Sequence, residues 1–255
     1  MKLIHFKTID STNAEALRLL GAAQNVRDLD QNVIVADEQS AGRGRLKRAF
    51  YSPANAGLYF TAIHAPAEPI DEPALLTACA AVAACRSIKE FFGVDAKIKW
   101  VNDLYLDNKK VCGILAEGHL GADGFVDAAA IGIGINIFPS DFPAEIAGRA
   151  GAVLTKDFSQ GQETGEVRMD LARDVSQKLF DLLKSGADSW KAALAEYRER
   201  SFVIGKKIMV APIIGDERSV YPATVLGIDE KARLLVRLDD GSERALSSGE
   251  ISIKI

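Results

Sequence analysis

The run Ala130-Ile131-Gly132-Ile133-Gly134-Ile135-Asn136 constrains the fold of this chain more than any other. With a period of two it is a strand, with Ile131, Ile133 and Ile135 on one face and Gly132, Gly134 and Asn136 on the other. The isoleucine face has to be covered by core. The glycine face carries no side chain until Asn136, so a packed helix or a flat ligand can touch the backbone there. The chain therefore needs a sheet, and at this strand one face of that sheet is bare.

A second stretch could cover a ligand on such a face. Asp37 to Pro53 reads DEQSAGRGRLKRAFYSP and lies between two strand-like runs, Val33 to Ala36 and Ala56 to Ile63. Ser40 to Arg48 is then a surface connection. Arg43, Arg45, Lys47 and Arg48 crowd into it, and Gly42 and Gly44 free the backbone to bring N–H groups close to a phosphate. A solvated turn, or a contact with nucleic acid, would use the same residues. Against nucleic acid, Asp and Glu outnumber Lys and Arg by 35 to 31 for a net charge of -4, which leaves no extended basic footprint.

At the N-terminus, Leu3 to Thr8 alternates like a strand. Ser11, Thr12 and Asn13 precede a helix expected over Ala14 to Leu20 and closed by Gly21. Their polar groups can cap the helix or hold the polar head of a ligand. Glu72 to Phe92 is the longest helical pattern, ended by Gly93, and reads as scaffold. Ala96 to Val101 is expected as a strand with Ile98 and Trp100 on one face and Lys97 and Lys99 on the other. Asn102-Asp103 interrupts it, Leu104 to Leu106 resumes, and Lys110 to Glu117 returns as a hairpin partner after a turn at Asp107-Asn108-Lys109. Asn102 and Asp103 offer oxygens to Mg²⁺ or to hydroxyl groups, and Lys110 offers a cation. An ordinary turn dipeptide and an ordinary edge lysine would look the same.

Further on, Thr155 to Ser159 lies near an expected helix start, Glu166 to Leu183 is amphipathic, and Trp190 to Arg200 is a shorter helix. The pattern then changes. Ser201 to Ile255 carries short strands, Ile208 to Val210, Tyr221 to Ile228, Leu234 to Leu238 and Glu250 to Ile253, which suggests a small barrel. A chain of 255 residues suits such a large unit followed by a small one. No secretory pattern follows Met1, and no apolar run is long enough for a bilayer. Cys79, Cys85 and Cys112 lack CxxC spacing and read as reduced core residues. These features point to a cytoplasmic protein without membrane contact or thiolate-bound metal.

QSAGRGR at Gln39 to Arg45, KWVNDLY at Lys99 to Tyr105, KVCGIL at Lys110 to Leu115 and GIGIN at Gly132 to Asn136 occur together in this order. So do STN at Ser11 to Asn13 and SPANAGLY at Ser52 to Tyr59. In this the chain resembles the biotin protein ligases, which attach biotin to carboxylase carrier domains, and the resemblance is dense from residue 3 to about 140. It implies an α+β fold: a class II synthetase-like catalytic domain with a mixed β-sheet over 1–200, and a small C-terminal SH3-like β-barrel over 201–255. It further implies two reactions. Biotin and ATP give biotinyl-5′-AMP and pyrophosphate, with Mg²⁺ as cofactor; a lysine of a biotin carboxyl carrier protein then takes the biotinyl group.

By the same resemblance, Lys110 and Arg45 would be catalytic. Ser11, Thr12, Asn13, Gln39, Gly42, Arg43, Lys110, Gly113 and Gly132 would bind biotin. Arg43, Arg45, Phe50, Asn102, Asp103 and Asn136 would bind the nucleotide, with Asp103 on the metal, and the loop over 41–50 would fold across the adenylate. Simple alternation puts Lys110 and Gly113 on opposite faces, so both can touch biotin only if a bulge or turn intervenes. Val101, Lys47 and Phe50 stand where many relatives carry proline, glycine and tryptophan; Phe50 can still stack. The first strand is expected to begin at Lys2 or Leu3, which fits a short monofunctional form with no N-terminal DNA-binding domain and no DNA partner. An exposed sheet edge leaves a homodimer open. A lipoate-type ligase or transferase, or a non-catalytic binder, remains the alternative.

Overall fold

The computed structural model describes residues 1–154, 164–184, 186–211 and 220–253. Its larger unit is built on seven strands: β1 Lys2–Ile9, β2 Asn32–Gln39, β3 Gly57–His64, β4 Lys97–Lys99, β5 Asp103–Leu106, β6 Lys109–Leu120 and β7 Val126–Asn136. They lie in the order β1-β2-β3-β7-β6-β5-β4. β1 and β2 run parallel, joined by the crossover helix α1, Thr12–Ala22; the other pairings are antiparallel. The sheet is mixed, as expected.

Helices divide between its faces according to side-chain parity. Val33, Val35, Ile131, Ile133 and Ile135 join one core with α2, Pro73–Phe92, and with α4, Thr164–Lys184, and α5, Gly186–Arg200. Ile34, Ile63, Ala128 and Ala130 pack on the other side against Ala16 and Leu20 of α1. That side is otherwise open, and Gly132 and Gly134 face into the opening. The short helix α3, Ala144–Ala147, follows β7.

Local chemistry explains most of the boundaries. Ser11 caps α1, its Oγ accepting from the N–H of Ala14 at 3.4 Å, so the helix starts earlier than Ala14. Gly21 does not close it. The helix runs on to Ala22, and Ala23 leaves in an extended conformation with its N–H on the carbonyl of Leu20. Gly93 does end α2, at φ 72°, where glycine is unstrained, and Pro73 opens it. Asp107 and Asn108 take φ 46° and 62°, the left-handed pair of a tight hairpin turn between β5 and β6.

β4 stops at Lys99 rather than at Val101. The following turn is pinned from two sides: Trp100 Nε1 donates to the carbonyl of Ala232 at 3.0 Å, and Tyr197 Oη donates to the carbonyl of Val101 at 2.8 Å. Cys79, Cys85 and Cys112 are buried free thiols, and burial pushes Cys79 and Cys85 up to about 12.

The smaller unit is a five-stranded antiparallel sheet of β8 Lys207–Ala211, β9 Tyr221–Ile228, β10 Leu234–Leu238, β11 Glu243–Leu246 and β12 Glu250–Ile253, ordered β11-β10-β9-β8-β12. This matches an SH3-like unit. β11 was not foreseen, because Glu-Arg-Ala-Leu has no alternating apolar face. Thr155 to Ser159 lies outside the described residues. No described helix is long and apolar enough to cross a membrane.

Candidate active site

The bare patch of the sheet is the floor of a cavity of about 590 Å³. α1 walls it at one end, the loop after β2 covers it, and β8 and β12 reach it from the smaller unit. Ser11, Thr12, Asn13 and Gln39 line it together with Gly132, and Arg43, Arg45 and Phe50 of the loop line it as well. Asn102, Asp103, Lys110, Gly113 and Asn136 complete the set brought together from the sequence. Gly42 is absent from the wall. It sits behind it, where an added Cβ would collide with the carbonyl of Phe50 and lie 2.6 Å from Ser52 Oγ, so its glycine serves the tight packing of the loop.

At the first end a buried polar network fixes the start of α1. Gln39 Oε1 accepts from the N–H of Thr12 at 2.9 Å, and Gln39 Nε2 donates to Ser52 Oγ at 3.0 Å. Thr61 Oγ1 lies 2.9 Å from Thr12 Oγ1 and 2.7 Å from Asn13 Oδ1. Asn13 Nδ2 donates to the carbonyl of Leu115 at 3.1 Å and to Glu117 Oε2 at 2.9 Å. Thr61 and Glu117 were not foreseen; only the pairing of β3, β7 and β6 brings them here.

The bareness of Gly132 has a concrete reason, since a Cβ there would run into Asn13 Oδ1. A Gly132→Ala protein is expected to lose about 1–3 kcal/mol of stability. The measurement is a denaturant titration, which should give a lower midpoint at unchanged slope.

Lys110, near the start of β6, lines the same cavity. Lys110 Nζ forms an ion pair with Asp103 Oδ1 at 2.6 Å. Between β5 and β6 the register slips, Leu104 facing Cys112 while Tyr105 faces Lys110, so Val111 is an extra residue and β6 bulges. The bulge turns Lys110 to the same side as Gly113, where a Cβ on Gly113 would lie 3.2 Å from Lys110 Nζ and 3.0 Å from the Phe50 ring. A Cβ on Gly134 would strike the same ring. Both glycines thus make room for side chains folded over the strand.

At the second end, the loop is tied to the sheet and to the smaller unit. Arg45 donates to Asn102 Oδ1 and to the carbonyl of Gly249, each at 3.3 Å. Asn102 is itself held, its Nδ2 donating to the carbonyl of Ile114 at 2.7 Å, and Asn136 Nδ2 donates to the carbonyl of Gly151 at 3.0 Å. Arg48 pairs with Glu250 at 2.6 Å and Arg43 with Glu117 at 2.8 Å. Burial pushes the Arg45 guanidinium below its usual range, while Asp103 and Glu250 pull it back up. Burial also lowers Lys99, with Asp103 opposing, and raises Tyr105 to about 12. Lys99, Tyr105 and Glu250 line the cavity without having been assigned to it from sequence.

An open-faced mixed sheet, a polar helix start, a cationic cover and a lysine can together seat an organic acid beside a phosphate-bearing ligand. Residues 6–136 match the biotin/lipoate A/B protein ligase family, and residues 213–254 match the biotin protein ligase C-terminal domain. The chain belongs to the biotin/lipoate A/B protein ligase family. Among its relatives, the biotin–[acetyl-CoA-carboxylase] ligase of Paracoccus denitrificans is 32% identical over 239 residues, covering 89% of this chain and 91% of that one. The bifunctional ligase/repressor BirA of Bacillus subtilis is 29% identical over 248 residues, or 96% of this chain and 72% of the relative. The biotin protein ligase of Aquifex aeolicus, solved in complex with biotin and ATP, superposes with a TM-score of 0.75 at 27% identity, covering 99% of this chain and 98% of that one.

Proposed function

We propose that this chain is an ATP-dependent biotin protein ligase: it activates biotin as biotinyl-5′-AMP and passes it to a lysine of a biotin carboxyl carrier protein. One observation carries the reading at this site. Lys110 lines the cavity, turned to the Gly113 side by the Val111 bulge, together with the polar start of α1 and the loop arginines. Two anions have to meet for the first reaction, the biotin carboxylate and the α-phosphate. An ammonium between them lowers their repulsion and stabilises charge that grows on the phosphoryl oxygens.

Biotin takes the first end, with Ser11, Thr12, Asn13, Gln39, Arg43 and Gly132 around it, and its carboxylate points toward Lys110. The nucleotide takes the second end, against Arg43, Arg45, Phe50, Asn102 and Asn136. Asp103 fits a metal delivered with the nucleotide, because its Oδ1 is buried and, among the described residues, has no hydrogen-bond donor other than the Lys110 ammonium beside it. Among the described residues no cluster of three His, Cys, Asp or Glu side chains forms, and a single carboxylate plus substrate phosphates is an ordinary set for Mg²⁺. When bound, Mg²⁺ would neutralise phosphate charge.

The loop, held down through Arg45 and Arg48, keeps water from the mixed anhydride until a carrier lysine arrives. We assign residues 1–200 to the catalytic unit and 201–255 to the smaller one, which contributes Gly249 and Glu250 as anchors for the loop.

The test is ATP–pyrophosphate exchange with biotin, lipoate and octanoate in parallel. Exchange that depends on biotin is expected. Exchange driven by lipoate or octanoate instead would replace this reading with the lipoate-type one, and no exchange with any acid would point to a transferase or a binder.

A further inference from the structure

Four cavity residues lie on one straight line across the sheet. Lys99 faces Asp103 between β4 and β5, Asp103 faces Gly113 between β5 and β6, and Gly113 faces Gly134 between β6 and β7. Directly opposed residues point to the same side of a sheet, so Gly134, Gly113, Asp103 and Lys99 form one row of the cavity floor. The neighbouring row is Thr61, Gly132 and Leu115, the floor of the first end. The row that carries Lys99 therefore starts beside the first end and runs away from it toward the sheet edge. Lys99 stands two strands beyond Gly113, roughly 10 Å at about 4.8 Å per strand.

The cations of the cavity are not equivalent. Arg43, Arg48 and Lys110 already have carboxylate partners, Arg45 spends its guanidinium on Asn102 and Gly249, and Arg149 is exposed, so water already solvates its charge. Lys99 is half-buried, its Nζ 5.7 Å from the centroid of the Tyr105 ring, and among the described residues no carboxylate comes within 4.0 Å of it. The ring fixes the side chain, while Asp103 and Glu250 act on its charge from beyond ion-pair range and leave room for a closer anion. A partly dehydrated ammonium held in this way at a cavity wall is a receptor for an anion supplied from outside.

We propose that Lys99 binds the two terminal phosphoryl groups of ATP, the part that departs as pyrophosphate. This rests on the ligase reading above and extends it to a residue not assigned there. In the activation step a biotin carboxylate oxygen forms a bond to the α-phosphorus. The bond from that phosphorus to the oxygen bridging to the β-phosphoryl group breaks, and its electron pair leaves with pyrophosphate. No proton has to move. With the reacting phosphorus beside Lys110 Nζ, the leaving group extends along the row, past Asp103 to Lys99, opposite the side from which the carboxylate approaches. Lys99 then meets negative charge that increases as the bond breaks, so it acts on the departing group rather than on biotin.

The experiment uses the full chain, with Lys99→Met, which keeps an apolar stem over Tyr105, and Lys99→Arg, which keeps the charge. The Michaelis constant for pyrophosphate in biotin-dependent exchange is expected to rise at least about tenfold in Lys99→Met, a single charged contact, while biotin affinity by calorimetry stays at the parent value. Lys99→Arg is expected to recover most of the loss. A pyrophosphate constant within twofold of the parent in Lys99→Met overturns the proposal. So does an equal loss of biotin affinity, or a Lys99→Arg protein as impaired as Lys99→Met, since either would make the effect one of packing. Absence of biotin-dependent exchange in the parent protein would instead defeat the ligase reading itself.

Discussion

Lys110→Ala is expected to reduce biotin-dependent ATP–pyrophosphate exchange by roughly 10²–10³-fold, the usual loss when a charge-stabilising donor is removed from a dry site. The fold should survive. Lys110 is a partly exposed side chain whose partner is Asp103, and deleting it leaves that carboxylate short of a cation rather than opening a hole in the core. A stability loss of about 1–3 kcal/mol is the most that an unpaired polar group of this kind should cost. Thermal unfolding monitored beside the exchange assay separates the two effects. Lys110→Arg should not rescue, because the gap over Gly113 is already filled to 3.2 Å by the lysine's terminal atoms and a guanidinium is wider. Near-parental exchange in Lys110→Ala would remove the lysine from the chemistry.

Arg45→Ala has the second largest expected effect, a fall of about 10²-fold in kcat/KM for ATP. Here two losses combine. The half-buried guanidinium joins the loop to Asn102 on the sheet side and to the Gly249 carbonyl in the smaller unit. Removing it takes a positive charge from the phosphate end and unfastens the cover. The ion pairs of Arg48 with Glu250 and of Arg43 with Glu117 hold the loop weakly, since solvent-exposed pairs of this sort contribute at most about 1 kcal/mol each. Arg45→Lys should restore little, because one ammonium cannot bridge both acceptors in the way a planar fork does. Steady-state kinetics with ATP varied at saturating biotin read the loss, and biotin binding without nucleotide should change far less.

The parts of this molecule that depend on local pattern could be read in the chain itself. Alternation gave β7 with its bare face, glycine marked the end of α2, and the charged loop after β2 stood out by composition. A bulge or turn at the start of β6 was expected because the resemblance puts both Lys110 and Gly113 on biotin, and the register between β5 and β6 shows the extra residue at Val111. What stayed hidden depends on register between strands distant in sequence, which no local pattern encodes. Thr61 and Glu117 look like unremarkable strand residues until β3, β7 and β6 are aligned. Lys99 was placed opposite Ile98, but only its pairing with Asp103 puts it in line with Gly113. Gly21 misled because it resembles a helix stop, yet nothing crowds it and the chain has no need to turn there. β11 escaped because it is exposed and polar along most of its length.

The central claim is that Lys110 brings a carboxylate and an α-phosphate together at its Nζ, beneath a cationic cover. A crystal structure of the protein with biotin and a non-hydrolysable ATP analogue measures this directly. The α-phosphate and the biotin carboxylate should both lie within hydrogen-bonding distance of Lys110 Nζ, with the 41–50 loop closed over them. A nucleotide bound elsewhere, or a biotin carboxylate turned away from Lys110, would contradict the account.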